Sequence, residues 1–187
     1  KPKMKNAILL AAQAIQRRNV GPSYTNIAIM GTYVTYMTAR LFDQKEMFQY
    51  AQNRLKNFYD YTVKRGGFEE YNSPTYTIVA LDELNRMQRH IKEPSALAMI
   101  DSLYALSWNM IARHYHKPTG QWVGPHSRAY SPVVDSAFQG ILFMASGGKV
   151  GTPVFTGDVK MKHQIPSYLL HYFLSPQYPR TESDVFI

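Results

Sequence analysis

Three side chains capable of acid–base and anion chemistry fall within five residues: His126, Arg128 and Tyr130, in the stretch Gly124-Pro125-His126-Ser127-Arg128-Ala129-Tyr130. An arginine fixes an anion, and a histidine or tyrosine can take or give a proton. A plain connector between Gly124-Pro125 and Ser131-Pro132 needs none of them. Two other short loops carry comparable groups. One is Gly21-Pro22-Ser23-Tyr24 with Asn26, and the other runs Glu69-Glu70-Tyr71-Asn72-Ser73-Pro74-Thr75-Tyr76. Taken singly these residues have plain structural roles: Asn72 and Ser73 as caps, Tyr24 and Tyr76 as core, Glu69 and Glu70 as solvated carboxylates. Gathered at helix N-termini, which attract anions, they fit β-elimination on a uronic acid. Arg, Asn or His would neutralise the substrate carboxylate, so that the proton on the neighbouring carbon becomes acidic. A Tyr or His would remove it, and a Tyr would protonate the departing glycosidic oxygen.

Gathering them requires helices in a repeating register, and apolar periodicity supplies these. The spacing predicts helices over about Met4–Arg18, Asn26–Leu41, Gln44–Lys64, Thr75–His90, Glu93–His116 and Val133–Ala145. On the first, the stripe Ala7, Ile8, Ala11, Ala14 and Ile15 should face inward; on the third, Met47, Ala51, Leu55, Phe58 and Thr62. Asp43 with Glu46 reads as a capping pair for the third helix, and Gly66-Gly67 as its stop. Ser73-Pro74 and Ser131-Pro132 each read as a cap followed by a first-turn proline. Amphipathic outer helices thus alternate with apolar inner ones, three times over. Tyr24, Tyr76 and Tyr130 each open an inner helix, 52 and 54 residues apart, so equivalent loops should emerge at one end of the stack. The predicted fold class is all-α.

Composition narrows the partners. Lys and Arg number 21 against 13 Asp and Glu, a net charge of +8, which favours polyanions. Nucleic acid, anionic lipid and acidic polysaccharide all fit that charge, as does a plain basic surface. The basic residues are scattered and match no nucleic-acid signature, so nucleic acid ranks last, and the site chemistry makes acidic polysaccharide the expected partner. No apolar run reaches the ~18 residues that span a bilayer. There are no cysteines, which excludes disulfides, a thiolate nucleophile and Cys-based zinc. His90, His114, His116, His163 and His171 lack ligand spacing, and His114 and His116 would diverge on a helix. No metal and no cofactor are expected.

Residues 1–148 read as the hairpin domain. Residues 149–187 read as a linker with one short helix over Ser167–Leu174 and a strand at Val154-Phe155-Thr156, leading into a further domain. The apolar ending Val185-Phe186-Ile187 and the uncapped hairpins suggest a portion of something larger.

The segments Glu70–Tyr76 and Gly124–Tyr130, with the hairpins over roughly residues 6–147, resemble the (α/α) toroid of carbohydrate-active enzymes. Heparinase-like and alginate-type polysaccharide lyases are the nearest in kind, with rhamnose–glucuronate lyases a narrower likeness. The resemblance implies a partial toroid, a following β-sandwich domain, and a secreted or periplasmic enzyme acting on acidic glycans. It implies that Asn72 and Arg128 neutralise the carboxylate, that His126 and Tyr130 share the base and acid roles, and that Tyr24, Asn26, Glu70, Tyr71 and Tyr76 bind substrate. Two rivals stand beside it. A glycoside hydrolase on the same fold would draw paired carboxylates from Glu69, Glu70, Asp82 and Asp135. A helical-repeat scaffold would bind protein or glycan without turnover.

Overall fold

The α2 helix (Thr25–Phe42) and the α4 helix (Pro74–His90) stand side by side as an inner layer. Outside them lie α1 (Pro2–Arg18) against α2, α3 (Lys45–Arg65) against α2, and α5 (Pro94–His114) against both α4 and α3. The computed structural model describes residues 2–131, 133–154 and 162–184, and these are mostly helical.

Local chemistry explains the elements. The inner α2 buries threonines by bonding their hydroxyls back to the helix: Thr32 Oγ1 donates to the Ala28 carbonyl and Thr35 Oγ1 to that of Gly31, each at 2.8 Å. This satisfies both hydroxyls inside the core. Helix α3 buries Met47, Ala51, Leu55, Phe58 and Thr62, the predicted stripe. It ends at Gly66, whose φ of 73° is the left-handed geometry glycine allows. Ser73 caps α4 by accepting from the Tyr76 amide at 3.2 Å, with Pro74 in the first turn.

Four local expectations need correction. Asp43 does not cap α3: it is the left-handed residue (φ 52°) that closes α2, and the Gln44 that follows makes no side-chain cap. On α1, Ala12 is buried while Ile8 and Leu10 are exposed, so the inward face is rotated from the predicted stripe. Helix α5 stops at His114 because Tyr115–His116 (β1) pairs antiparallel with Gln121–Trp122 (β2) across the 117–120 turn. Helix α6 (Ser136–Ala145) begins later than Ser131, because Asp135 Oδ1 takes the Phe138 amide at 3.0 Å while Ser131 Oγ is turned onto the Val133 carbonyl. Pro132, the expected first-turn proline, lies outside the described residues.

The third hairpin therefore differs from the first two. The β1–β2 turn stands between α5 and α6, and α6 is held by its own contacts: Gln139 Nε2 donates to the Gly120 carbonyl, and Gly140 packs on Val154. The core runs from Ile29, Tyr36 and Leu55 through Leu81, Trp108 and Ile111 to Phe138 and Leu142. Val150, Ile165, Leu169 and Phe173 belong to the same cluster, so the segment after α6 packs on the helices. Its short helix is present as a 3-10 turn over Ser167–Leu169 and α7 over Leu170–Leu174. Phe155 and Thr156 of the expected strand, and the ending 185–187, lie outside the described residues.

Candidate functional site

Tyr24 immediately precedes α2, Tyr76 sits in the first turn of α4, and Tyr130 lies in the loop before α6. Their hydroxyls come together around one cation. The Tyr76 and Tyr130 hydroxyl oxygens are 3.0 Å apart, and Arg128 Nη2 donates to each at 3.2 Å. The guanidinium carbon stands 4.8 Å from the centre of the Tyr76 ring, whose edge contact with Tyr130 spans 6.1 Å. Tyr24, at the end of the first loop, stands near enough to the guanidinium to favour its charged form. Arg128 has a φ of 51°, an uncommon conformation for a side-chain-bearing residue that a built loop maintains.

The two phenols are polarised in opposite senses. With Tyr76 as the donor between them, accepting from Tyr76 and from Arg128 draws Tyr130 below the ordinary tyrosine range, whereas the bond to Tyr130 pushes Tyr76 up. Hydrogen bonds to the charged form favour it, and Arg128 completes the effect. Beside the cluster a groove of about 260 Å³ runs between α4 and α6, lined by Pro74, Ile78, Tyr130, Val134, Phe138 and Ile141. The arrangement offers a cation, a phenol biased toward release of its proton and a phenol biased toward keeping it, at the edge of an open groove.

Two of the remaining expected residues, Asn72 and His126, brace this site instead of facing it. Asn72 is fully buried with a φ of 47°. Its amide donates to the Val123 and Pro125 carbonyls, each at 2.9 Å, and its oxygen accepts from the Trp122 indole. With both ends of the amide occupied, Asn72 cannot meet a substrate carboxylate. His126 is similarly committed: Nδ1 lies 2.7 Å from the Asn72 carbonyl and Nε2 3.1 Å from that of Trp122. Neither nitrogen is left to serve as base or acid. Both residues clamp the loop that presents Arg128 and Tyr130. Asn26 accepts from the Ile27 amide at 2.9 Å, a local contact. Glu70 is buried with one carboxylate oxygen unpartnered among the described residues.

The profile of a domain family of unknown function, DUF8769, matches residues 8–167. The chain belongs to that family. No curated protein and no solved structure matches it. All of Tyr24, Tyr76, Arg128 and Tyr130 fall within the matched span.

The chain also contains a charged cluster that sequence reasoning missed, partly inside and partly beyond the matched span. Tyr71, expected to bind substrate with the others, instead donates its hydroxyl to Asp184 at 2.5 Å and contacts His114 Nε2 at 3.0 Å. Arg113 ion-pairs with Asp184 at 2.7 Å and with Glu182 at 2.9 Å. Burial and the bond to Asp184 push Tyr71 up to about 12. Burial raises the Asp184 carboxyl, but the bonds from Tyr71 and Arg113 outweigh it and hold the group below the usual range. Burial lowers His114. Nothing in the spacing of Arg113, His114 and a tail seventy residues away signals this contact.

Proposed function

We propose that this DUF8769 domain is a lyase that cleaves an acidic, uronate-containing glycan by β-elimination, its hairpins forming part of an (α/α) toroid. The observation that carries this reading is the polarised pair Tyr76–Tyr130 held on Arg128. Titratable groups whose environments push them apart mark the base and the acid. Tyr130, eased toward phenolate, takes the proton from the carbon next to the uronate carboxylate. Arg128 neutralises that carboxylate as negative charge develops on it. The glycosidic C–O bond breaks, a C=C bond forms in the uronate ring, and Tyr76 delivers its proton to the departing oxygen. The net positive charge of the chain agrees with an anionic substrate.

The hydrolase alternative has less support. Asp135 caps α6, Asp82 is bonded to His163 at 2.8 Å, and Glu69 pairs with Arg65 at 3.1 Å. An enzyme of this kind would meet its polymer outside the cytoplasm, secreted or in a periplasm. The same resemblance implies a β-sandwich domain after the toroid.

The test is to incubate the chain with a panel of uronate polymers and follow the ultraviolet absorbance of the conjugated uronate. Tyr130→Phe serves as the control. A rise that is lost in Tyr130→Phe supports the lyase. Cleavage without the rise favours a hydrolase, and glycan retention without cleavage favours a scaffold.

A further inference from the structure

Residues 180–184 lie along the C-terminal end of α5, where Arg113 spreads its guanidinium over them. Its Nε donates to Glu182 Oε2 at 2.9 Å, Nη1 to Asp184 Oδ1 at 2.7 Å and Nη2 to the Ser183 carbonyl at 3.1 Å. The second Asp184 oxygen takes the Tyr71 hydroxyl and stands 3.7 Å from His114 Nε2. A single carboxylate therefore meets one nitrogen of an arginine and a phenol, with an imidazole beside them, while the other arginine nitrogens hold Glu182 and the Ser183 carbonyl. The combination is suited to recognising a carboxylate wherever it comes from.

Three features distinguish this from an ordinary surface ion pair. First, the donors belong to the helical body. His114 is buried and anchored through Nδ1 to the Met110 carbonyl at 2.8 Å, and Tyr71 is fixed by the turn that precedes α4. Second, a cavity of about 380 Å³ opens beside Asp184, with Lys64, Arg65, Glu69, Asn109 and Met110 among its walls, a volume in the range of small-ligand sites. Third, Tyr71, Arg113 and His114 lie within the family's matched span of 8–167, whereas the carboxylate they hold lies beyond it.

We infer that Tyr71 and Arg113, with His114 beside them, form a binding site for the carboxylate of a small polar acid, and that Asp184 of the chain's own 180–184 segment occupies it as an internal ligand. The body of the acid lies in the adjoining cavity, where Lys64, Arg65 and Asn109 offer donors to hydroxyl groups. The site is separate from the Tyr76–Arg128–Tyr130 cluster and assigns binding only, so it stands or falls independently of the lyase chemistry. A tethered carboxylate acts at an effective concentration on the order of millimolar, so a free acid has to compete with it.

The experiment titrates glucuronate, with glucose as the neutral control, into the 187-residue chain and into Asp184→Ala. Calorimetry gives the affinity, and the His114 ring resonances give the location. Both proteins also carry Arg128→Ala, which removes any contribution from the tyrosine cluster. The expected result is about a tenfold gain in glucuronate affinity in Asp184→Ala, a shift of the His114 signals, no binding of glucose, and loss of the gain when Arg113→Met is added. Unchanged affinity overturns the proposal, as does equal binding of glucose or a His114 signal that does not move. Should Asp184→Ala unfold, Asp184→Asn, which keeps the shape and removes the charge, decides by the same criteria.

Discussion

The hydroxyls of Tyr76 and Tyr130 stand 3.0 Å apart although 54 residues separate them, and one nitrogen of Arg128 reaches both. Two identical groups in contact would titrate alike in symmetric surroundings. Arg128 donates to both oxygens, but the surroundings are not symmetric, because the Tyr76 ring face also lies against the guanidinium; with Tyr76 as the donor between them, Tyr130 accepts twice. The pair is thereby divided into a proton acceptor and a proton donor, and the first expectation follows from that division.

If Tyr130 is the base, turnover of a uronate polymer rises with pH until its phenol is ionised, at a value below that of an ordinary tyrosine. Tyr130→Phe removes the acceptor and lowers the rate about 100-fold or more, the scale of general-base catalysis. Arg128→Ala removes one of the two bonds that favour the phenolate, so the rising limb of its profile moves to higher pH. Initial rates by ultraviolet absorbance across a pH series measure both effects. A profile that stays put in Arg128→Ala is incompatible with the assigned polarisation.

Asn72 is expected to be a stability residue whose loss also disables the site. Asn72→Asp keeps the acceptor for the Trp122 indole but sets a carboxylate against the Val123 and Pro125 carbonyls that now receive two N–H bonds. Each buried group left unsatisfied costs about 1–3 kcal/mol, so the loss is about 3 kcal/mol or more. For a chain of this size that lowers Tm by roughly 6–12 °C. Thermal unfolding followed by circular dichroism checks it, and a Tm within a degree or two of the parent would remove Asn72 from its bracing role.

Much of the helical layout was legible because it rests on local rules. The stripe Met47–Ala51–Leu55–Phe58–Thr62 follows helical spacing, and Gly66 and Ser73-Pro74 carry their usual end signals, whereas Tyr130 meets Tyr76 from the loop before α6 and not from the helix start that the repeat assigned to it. What escaped was decided by competition or by distance. Asp43 closes α2 in the left-handed conformation instead of capping α3, and Asp135 takes the cap expected of Ser131, because a left-handed position and a cap both suit the same side chain. Tyr115 and His116 left their helix for a strand pairing that a turn four residues on made available. Asn72 and His126 have the residue types of a catalytic pair, and only the carbonyls of Trp122, Val123 and Pro125 show that their polar atoms are taken. The Arg113–Asp184 contact spans 71 residues and leaves no periodic trace.

The start of α6 gives a compact test of capping. Asp135→Ala deletes the acceptor for the Phe138 amide and Ser73→Ala that for the Tyr76 amide, so each should cost about 1 kcal/mol. Ser131→Ala, at the position where the sequence alone places the cap, should cost less than about 0.5 kcal/mol, as at an ordinary surface site. Urea denaturation of the three variants ranks them, and a Ser131→Ala loss equal to that of Asp135→Ala would return the helix start to Ser131.

The tail clasp makes stability depend on pH in a definite direction. Burial holds His114 below its ordinary value, so between that lowered value and about 6.5 the unfolded chain binds a proton that the folded chain refuses. Stability therefore falls as the pH drops below about 6.5. Asp184 is also held low by Tyr71 and Arg113, so its contribution is complete above the ordinary carboxylate value of about 3.9 and is lost as pH falls through the lower folded value. Both groups act in the same sense, and a Tm that declines from pH 7 toward pH 3 is the expected outcome. At the alkaline end Tyr71, raised to about 12, stabilises the folded chain below the ordinary tyrosine value and loses that effect as pH climbs toward 12. Asp184→Ala removes the lower acid step and leaves His114 without its nearest carboxylate, so the loss near neutrality should begin at least as early as in the parent. Melting temperatures of the two proteins at half-unit pH intervals separate these steps, and parallel curves from pH 3 to pH 7 would show that Asp184 carries no linked proton.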